Sequence, residues 1–418
     1  ELSIVPSGTS TPLYGSTPFK IQPHFHRLMS YYTIETASSL YPLQRYLGFN
    51  PVQRFWFPMA LTDEVLLHTI MYSAAFSLSQ TRDTAGLSAS NDLIQLVAPI
   101  LRLLKDRLAG ETTINDATIG AVSCLVMVEN TAGNREKSQL HLKGLQQMIL
   151  ARGGLENIDP GLVMKIVRAD SEASVDNLTP PTLPPLKRQA PTLYETLPTY
   201  AQTPPSTPFA ELLFHPDINT HISSTLLTLA NFTTALNHYT HHQHNKTHPQ
   251  NHPPKIPPRA LDEDILSLST SLLRLLLSPP ITTPLHTSIT LTSLLFIKTI
   301  SRGLPFPPNA SDLLPKRLKQ ALAFLLRTTS TAVLLWMSTI GALACKPGSS
   351  EEIWFVDQLV NMIDKNPKLQ DWDRARAMLK EMLFVDVVHE APCRRLWEQV
   401  GRMYDLKKKW DKQVEMNW

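Results

Sequence analysis

From His24 onward the apolar residues recur at intervals of three and four, the spacing of a helix with one buried face. Phe55-Trp56-Phe57-Pro58-Met59-Ala60-Leu61 leads into Thr62-Asp63-Glu64, where acidic residues suit a helix start, and Val65, Leu66, Ile70 and Ala74 follow on one face. Ile94 to Leu108 repeats the pattern through Leu96, Val97, Ile100, Leu101 and Leu104. Asn115 can cap a helix over 116–129, ahead of a turn at Thr131-Ala132-Gly133-Asn134. A further helix, from about Lys137 to Ala151, is predicted to stop at Gly153-Gly154.

The pattern then breaks. Fifteen of the 34 prolines lie between Pro180 and Pro258, and only 220–238 within that break reads as helical, through Ile222, Leu226, Leu227, Leu229 and Ala230. The remainder is expected to be loop or disorder. Helical spacing resumes at Ala260, with Asp262 expected to cap Ile265–Leu277 and Pro279-Pro280 to end it. Helices are predicted at 289–300, 313–327 and 332–344. Ser349 and Glu352 then have capping-box spacing for the helix that holds Trp354, Phe355 and Leu359. Segments 374–384 and 394–404 complete about twelve helices with no run that alternates as a strand does. The fold class expected is all-α: an extended lead-in (1–22), a first helical half (23–175), a Pro/His-rich insert (176–259) and a second helical half (260–418).

Thr328 to Cys345 carries no charge and approaches the length of a membrane span. Four threonines and two serines dilute it, and Arg327 and Lys346 close it, so a buried core helix is expected and no membrane partner. Hydrophobic residues at 43% and charged residues at 18% fit a soluble protein, and few glycines (15) argue against Gly-rich phosphate loops. A net charge of +3 does not by itself imply a nucleic-acid partner. Cys124, Cys345 and Cys393 stand too far apart for a disulfide framework or a Cys-rich zinc module, and suit a reducing compartment. The chain opens on Glu1 rather than Met, so a preceding segment is expected.

Candidate chemistry is sparse. His238, His241, His242, His244, His248 and His252 fall within fifteen residues, some at the four-residue spacing that lets two imidazoles share a metal. Pro249, Pro253 and Pro254 interrupt the stretch, and no Cys, Asp or Glu joins it. A solvated low-complexity loop without a metal is the expectation. His389-Glu390 starts like H-E-x-x-H but continues Ala391-Pro392-Cys393, and no nucleophile elbow, dinucleotide fingerprint or Walker loop occurs. No catalytic residue is assigned, and the chain is not expected to be an enzyme. Trp56, Trp336, Trp354, Trp372 and Trp397 are expected in the core, although a few could line a pocket. Lys407-Lys408-Lys409 could serve nuclear import but suits the solvated end of a helix.

One segment is distinctive. His141-Leu142-Lys143-Gly144-Leu145-Gln146-Gln147-Met148-Ile149-Leu150-Ala151-Arg152-Gly153-Gly154-Leu155 resembles a signature of the fungal-specific transcription factor domain. Ser16 to Pro23 with Leu28 and Tyr31-Tyr32 is similar to the opening of that domain, and Phe55 to Ala75, with Asp63, His68 and Ala74-Ala75, to its first core helix. Arg168-Ala169-Asp170 also fits, as do Leu335-Trp336, Gly341-Ala342 and Trp354-Phe355 in the second half. The likeness runs from about Pro18 to Trp397, concentrated at 137–170 and thin from 175 to 260.

The resemblance implies a nuclear regulatory helical module, with protein partners or a homodimer as its contacts. The zinc-cluster head that accompanies it in relatives needs six closely spaced cysteines, so zinc and DNA contact are expected only through a segment outside this chain; some relatives lack that head. A scaffold of the same fold that never touches DNA is the alternative. His141, Gly144, Leu145, Met148, Arg152, Gly153, Gly154, Leu155 and Asp170 are expected to serve structure: Gly144 by permitting close helix approach, the glycines by ending the helix, and Arg152 by reaching that helix's last carbonyls.

Overall fold

A computed structural model describes residues 18–21, 25–48, 50–81, 87–110, 114–244, 255–278, 283–304, 306, 311–326 and 329–416. Helices account for most of them, and there is no strand among the described residues. In chain order the helices are α1 (Phe25–Tyr31), α2 (Ala37–Leu40), α3 (Gln44–Leu47), α4 (Phe57–Thr62), α5 (Glu64–Thr81), α6 (Leu87–Gly110), α7 (Asp116–Thr131), α8 (Arg135–Ala151) and α9 (Pro160–Asn177). They continue as α10 (Thr207–Leu213), α11 (Thr220–His244), α12 (Pro258–Leu277), α13 (Pro284–Arg302), α14 (Leu313–Leu322), α15 (Thr331–Leu343), α16 (Ser350–Lys365), α17 (Trp372–Lys380) and α18 (Asp386–Met416). Single π-helical turns at Tyr32–Thr36 and Val52–Trp56 lead into α2 and α4.

Side-chain oxygens start many of these helices. Asp63 accepts from the Leu66 N–H at 3.0 Å, Asn115 from Thr118 at 2.8 Å and Thr283 from His286 at 3.1 Å. The Ser349 cap also forms, accepting from Glu352 N–H at 3.2 Å. Its reciprocal bond is displaced by one residue, because the Glu352 carboxylate takes the Gly348 N–H.

Two hydrophobic cores result. The first gathers α1, α2 and α4 to α9, with Met29, Leu66, Ile70, Leu125, Leu145 and Leu162 fully buried. The second gathers α3 and α10 to α18 around Leu226, Phe296, Trp336, Phe355 and Val400. Each is built on a central helix that is buried on every side: Thr118 to Val126 without interruption in α7, and Ser288 to Ile297 in α13. The charge-free stretch forms α15, buried from Val333 to Ala342. No described helix is long and apolar enough to cross a membrane.

Three sequence readings change. Asp262 caps nothing: α12 starts a turn earlier, at Pro258, whose fixed φ and missing N–H suit a first helical position. Asp262 therefore lies inside the helix. The segment 374–384 is helical only as far as Lys380, where α17 ends, and the helix expected at 394–404 starts early, α18 beginning at Asp386 and running through Pro392. Asn237 on α11 clamps that break, donating to the Phe384 carbonyl at 2.7 Å and accepting from the Asp386 N–H at 2.9 Å.

The third concerns the proline-rich segment. Helix α11 runs on to His244, past the predicted end, and its Ile222, Leu226, Leu229 and Phe232 are second-core residues. Residues 178–198 are irregular yet anchored, with Leu183, Leu193 and Leu197 buried. Buried carboxylates supply what a sheet or helix would: Asp170 accepts from the Thr182 and Leu183 N–H groups at 3.0 and 2.9 Å, Glu263 from Gln189 and Ala190, and Asp264 from Leu193. Of the His-rich stretch, 245–254 lies outside the described residues.

Candidate functional site

The signature residues lie on α8 and the turn that follows. Leu145 and Met148 are buried in the first core, His141 is half-buried, and Leu155 packs on the core's edge. Burial lowers the His141 imidazole below its ordinary pKa. Gly153 and Gly154 take φ of +82° and +117°, and the Gly154 N–H reaches back to the Ile149 carbonyl at 3.0 Å to close the helix end. Gly144 does not mediate close approach: a methyl group there would meet nothing within 4 Å. Arg152 likewise leaves its own helix end alone. It donates to the carbonyls of Ile114 and Asn157, both at 2.6 Å, and pairs with Asp116 at 3.1 Å, tying the end of α8 to the start of α7. Asp170 anchors the segment after α9; burial raises its carboxyl pKa although three hydrogen bonds from residues 182 and 183 oppose the rise.

Helix α9 forms the seam between the cores. Its apolar face, Leu162, Ile166, Ala169 and Ala173, belongs to the first core, whereas Lys165, Arg168, Glu172 and Asp176 follow one another at helical spacing on another face. Arg168 Nε donates to Glu172 at 2.8 Å, and its Nη2 donates to the carbonyls of Leu40 and Ser301 at 2.9 and 2.8 Å. Glu172 also pairs with Arg302 of α13, and Asp176 with Lys298 of α13 and, at 2.7 Å, with Asn130 of α7. Burial pushes the Glu172 carboxyl up, but Arg302 and Arg168 outweigh it and hold the pKa below the usual value.

Above this network lies a cleft of about 330 Å³ between α9, α12 and the α2–α4 region. Leu43, Leu47, Trp56, Met164 and Ile265 give it apolar walls, and Lys165, Arg168, Arg259 and Asp262 are its charged members, Arg259 being paired with Glu263 at 2.9 Å. That size and composition are those of a small-molecule pocket, set where two packed units meet.

The charged members are incompletely matched. Lys165 is 9% exposed, and its Nζ lies 4.0 Å from the centre of the Trp56 ring and 2.8 Å from Cys124 Sγ. No carboxylate pairs with it among the described residues. Arg168 stacks over Tyr41 at 4.9 Å, and its Nη1 makes no hydrogen bond among the described residues. Asp262 has neither a hydrogen bond nor an ion pair among them; burial pushes its carboxyl up to about 6 against the pull of Arg168, with Glu263 adding to the rise. No group of three His, Cys, Asp or Glu that could hold a metal occurs among the described residues.

The cleft was not assigned from the sequence. The signal available was the charged row on α9, opposite an apolar face that already accounts for the helix. Trp56 is both core and cleft wall; Trp336 and Trp397 are core, and Trp354 and Trp372 pack against it half-buried. His389 is fully buried, accepting the Val385 N–H at Nδ1 (2.9 Å) and facing Thr299 Oγ1 at 2.8 Å through Nε2. Lys407 and Lys408 lie inside α18 and not at a helix end, pinned by Asp364 of α16, and Met403, Leu406, Trp410 and Val414 form an exposed apolar stripe along the same helix.

Residues 27–176 match the fungal specific transcription factor domain. No curated protein and no solved structure matches the chain. The matched residues hold most of the first core and end on α9 at Asp176; the likeness read in Leu335-Trp336 and Trp354-Phe355 falls outside them. A regulatory, transcription-factor-like role accompanies the match. Most of the first core, together with the seam helix that carries Lys165, Arg168, Glu172 and Asp176, is thus the part of the chain that is similar to the fungal specific transcription factor domain.

Proposed function

We propose that the chain is the non-catalytic regulatory part of a fungal transcription-factor-type protein. It acts in the nucleus through contacts with partner proteins, a second copy of the chain among them, and reaches DNA only through a segment outside these residues. The match over 27–176 carries this reading, since the family is in general non-enzymatic. The stripe of Met403, Leu406, Trp410 and Val414 supports the protein contacts: large apolar side chains at helical spacing on an exposed face are a common docking surface.

The test is to tether residues 1–418 to an unrelated DNA-binding module in a fungal cell and follow a reporter with matching sites. The tethered chain is expected to raise or lower reporter output, and Trp410→Asp with Leu406→Asp to blunt the effect. A fusion that accumulates in the nucleus and leaves the reporter unchanged overturns the regulatory reading. The scaffold alternative would then take its place.

A further inference from the structure

The cleft over α9 has walls, a volume and charges that the protein itself does not satisfy. Lys165 brings a buried ammonium with an aromatic ring and a thiol for neighbours, and Arg168 brings an Nη1 left over from its three hydrogen bonds. A buried cation without an acidic partner is costly to hold, and a ligand that supplies the missing charge recovers part of that cost. Asp262 faces these cations from α12 yet pairs with neither. A cationic ligand would meet Lys165 and Arg168 as like charges in a confined apolar space, whereas an anion meets both as partners.

We propose that this cleft is an effector site for a small apolar monocarboxylate, its body against Trp56, Met164 and Ile265 and its carboxylate on Lys165 and Arg168. A monoanion fits better than a phosphate. The cations without a carboxylate partner are one ammonium and one side of a guanidinium, Arg259 being held by Glu263 and Asp262 being acidic, and most of the remaining lining is apolar.

The site lies where the family domain meets α12 and α13 of the second core, so an occupant bears on residues of both units. An effect of the ligand on transcription rests on the proposed function; binding to the purified chain does not.

Asp262 makes the binding pH-dependent. The groups facing it are Arg168 and Lys165 from α9, Tyr41 from the segment after α2, and Arg259 and Glu263 from its own helix. Its carboxyl, pushed up to about 6, is protonated below that pH and can donate a hydrogen bond to the bound carboxylate. Above it the ionised form repels the ligand. Affinity should therefore fall as pH rises through about 6.

The experiment is calorimetric titration of the purified 418-residue chain with three probes of one shape: 3-phenylpropanoate, phenethylamine and phenylalanine. The anion is expected to bind most tightly, and at least several-fold more tightly at pH 5.5 than at pH 7.5. Lys165→Met, which keeps the stem on Trp56, should weaken it about tenfold. Asp262→Asn should abolish the pH dependence and tighten binding at pH 7.5, with the fold checked by circular dichroism. Preference for the amine, or for the zwitterion with loss of binding in Asp262→Asn, overturns the carboxylate assignment. No binding by any probe overturns the site. If binding holds but the tethered reporter is silent, the regulatory reading fails and the site stands.

Discussion

Replacing Glu172 by Gln tests whether the seam is held by charge. The carboxylate bridges Arg168 on its own helix and Arg302 on α13, and both arginines and the acid are only 12–14% exposed at the side chain. Removing one partner of such a buried pair costs about 3–5 kcal/mol when nothing replaces it. Here an amide oxygen remains as an acceptor. Arg168 also keeps the carbonyls of Leu40 and Ser301, and Arg302 keeps Thr131 Oγ1 at 3.2 Å. The expected loss is therefore about 2–3 kcal/mol.

An unfolding entropy of about 2.1 cal/mol/K per residue gives the 418-residue chain about 0.9 kcal/mol/K, so Tm should fall by roughly 2–3 °C. Arg302→Gln and the double variant complete a cycle, with a coupling of about 1 kcal/mol or more expected between the two positions. The effect should also depend on acid. Glu172 titrates below its ordinary range when folded, so its contribution is complete above the unfolded pKa of about 4.3 and is lost as pH falls through the lower folded value. The gap between wild type and Glu172→Gln should close there. A change in Tm below about 1 °C at neutral pH, or zero coupling with Arg302→Gln, refutes the argument.

Arg152→Ala removes two bonds to carbonyls and the Asp116 pair at a partly exposed site. It should lower Tm by about 2–3 °C, with Arg152→Lys recovering less than half because an ammonium cannot span both carbonyls; unchanged stability with loss of ligand binding would sink the structural reading. Gly341→Ala places a methyl group 2.5 Å from the Phe355 ring, so about 1–3 kcal/mol should be lost, measurable by denaturant titration; a neutral result would mean that α15 and α16 can separate freely. His389 is neutral when folded because burial lowers its pKa to about 3, while the unfolded imidazole takes a proton near 6.5. Stability should drop by about 2 kcal/mol between pH 7 and pH 5, and His389→Gln should lack that share; an identical pH slope in the variant would exclude it.

Much of the fold could be read locally. Helical spacing of apolar residues places most of the helices, and caps such as Asn115, Thr283 and Ser349 work through groups only three residues apart. The positive φ at Gly153 and Gly154 follows from the need to turn the chain at once. Asp262 was misread because a cap and a buried acid on the first turns of a helix look alike in one dimension. Pro258, two turns' worth of spacing upstream of the apolar run, set the start instead.

The irregular segment 178–198 shows the limit more clearly. Its composition matches that of solvated loops, yet it is held by Asp170, Glu263 and Asp264, acids from helices up to 76 residues away in the chain. Apart from the Arg168–Glu172 pair on one helix, the partners of Lys165, Arg168 and Glu172 are also distant in the chain, and the cleft exists only because α9, α12 and the α2–α4 region enclose it. The sequence by itself determined helix content, several helix caps and the likeness of residues 27–176 to a known domain, all properties of near neighbours and of a local motif. Tertiary structure alone decided which charges are paired across the seam and which are left facing a cavity, because pairing and burial depend on what the rest of the chain brings alongside.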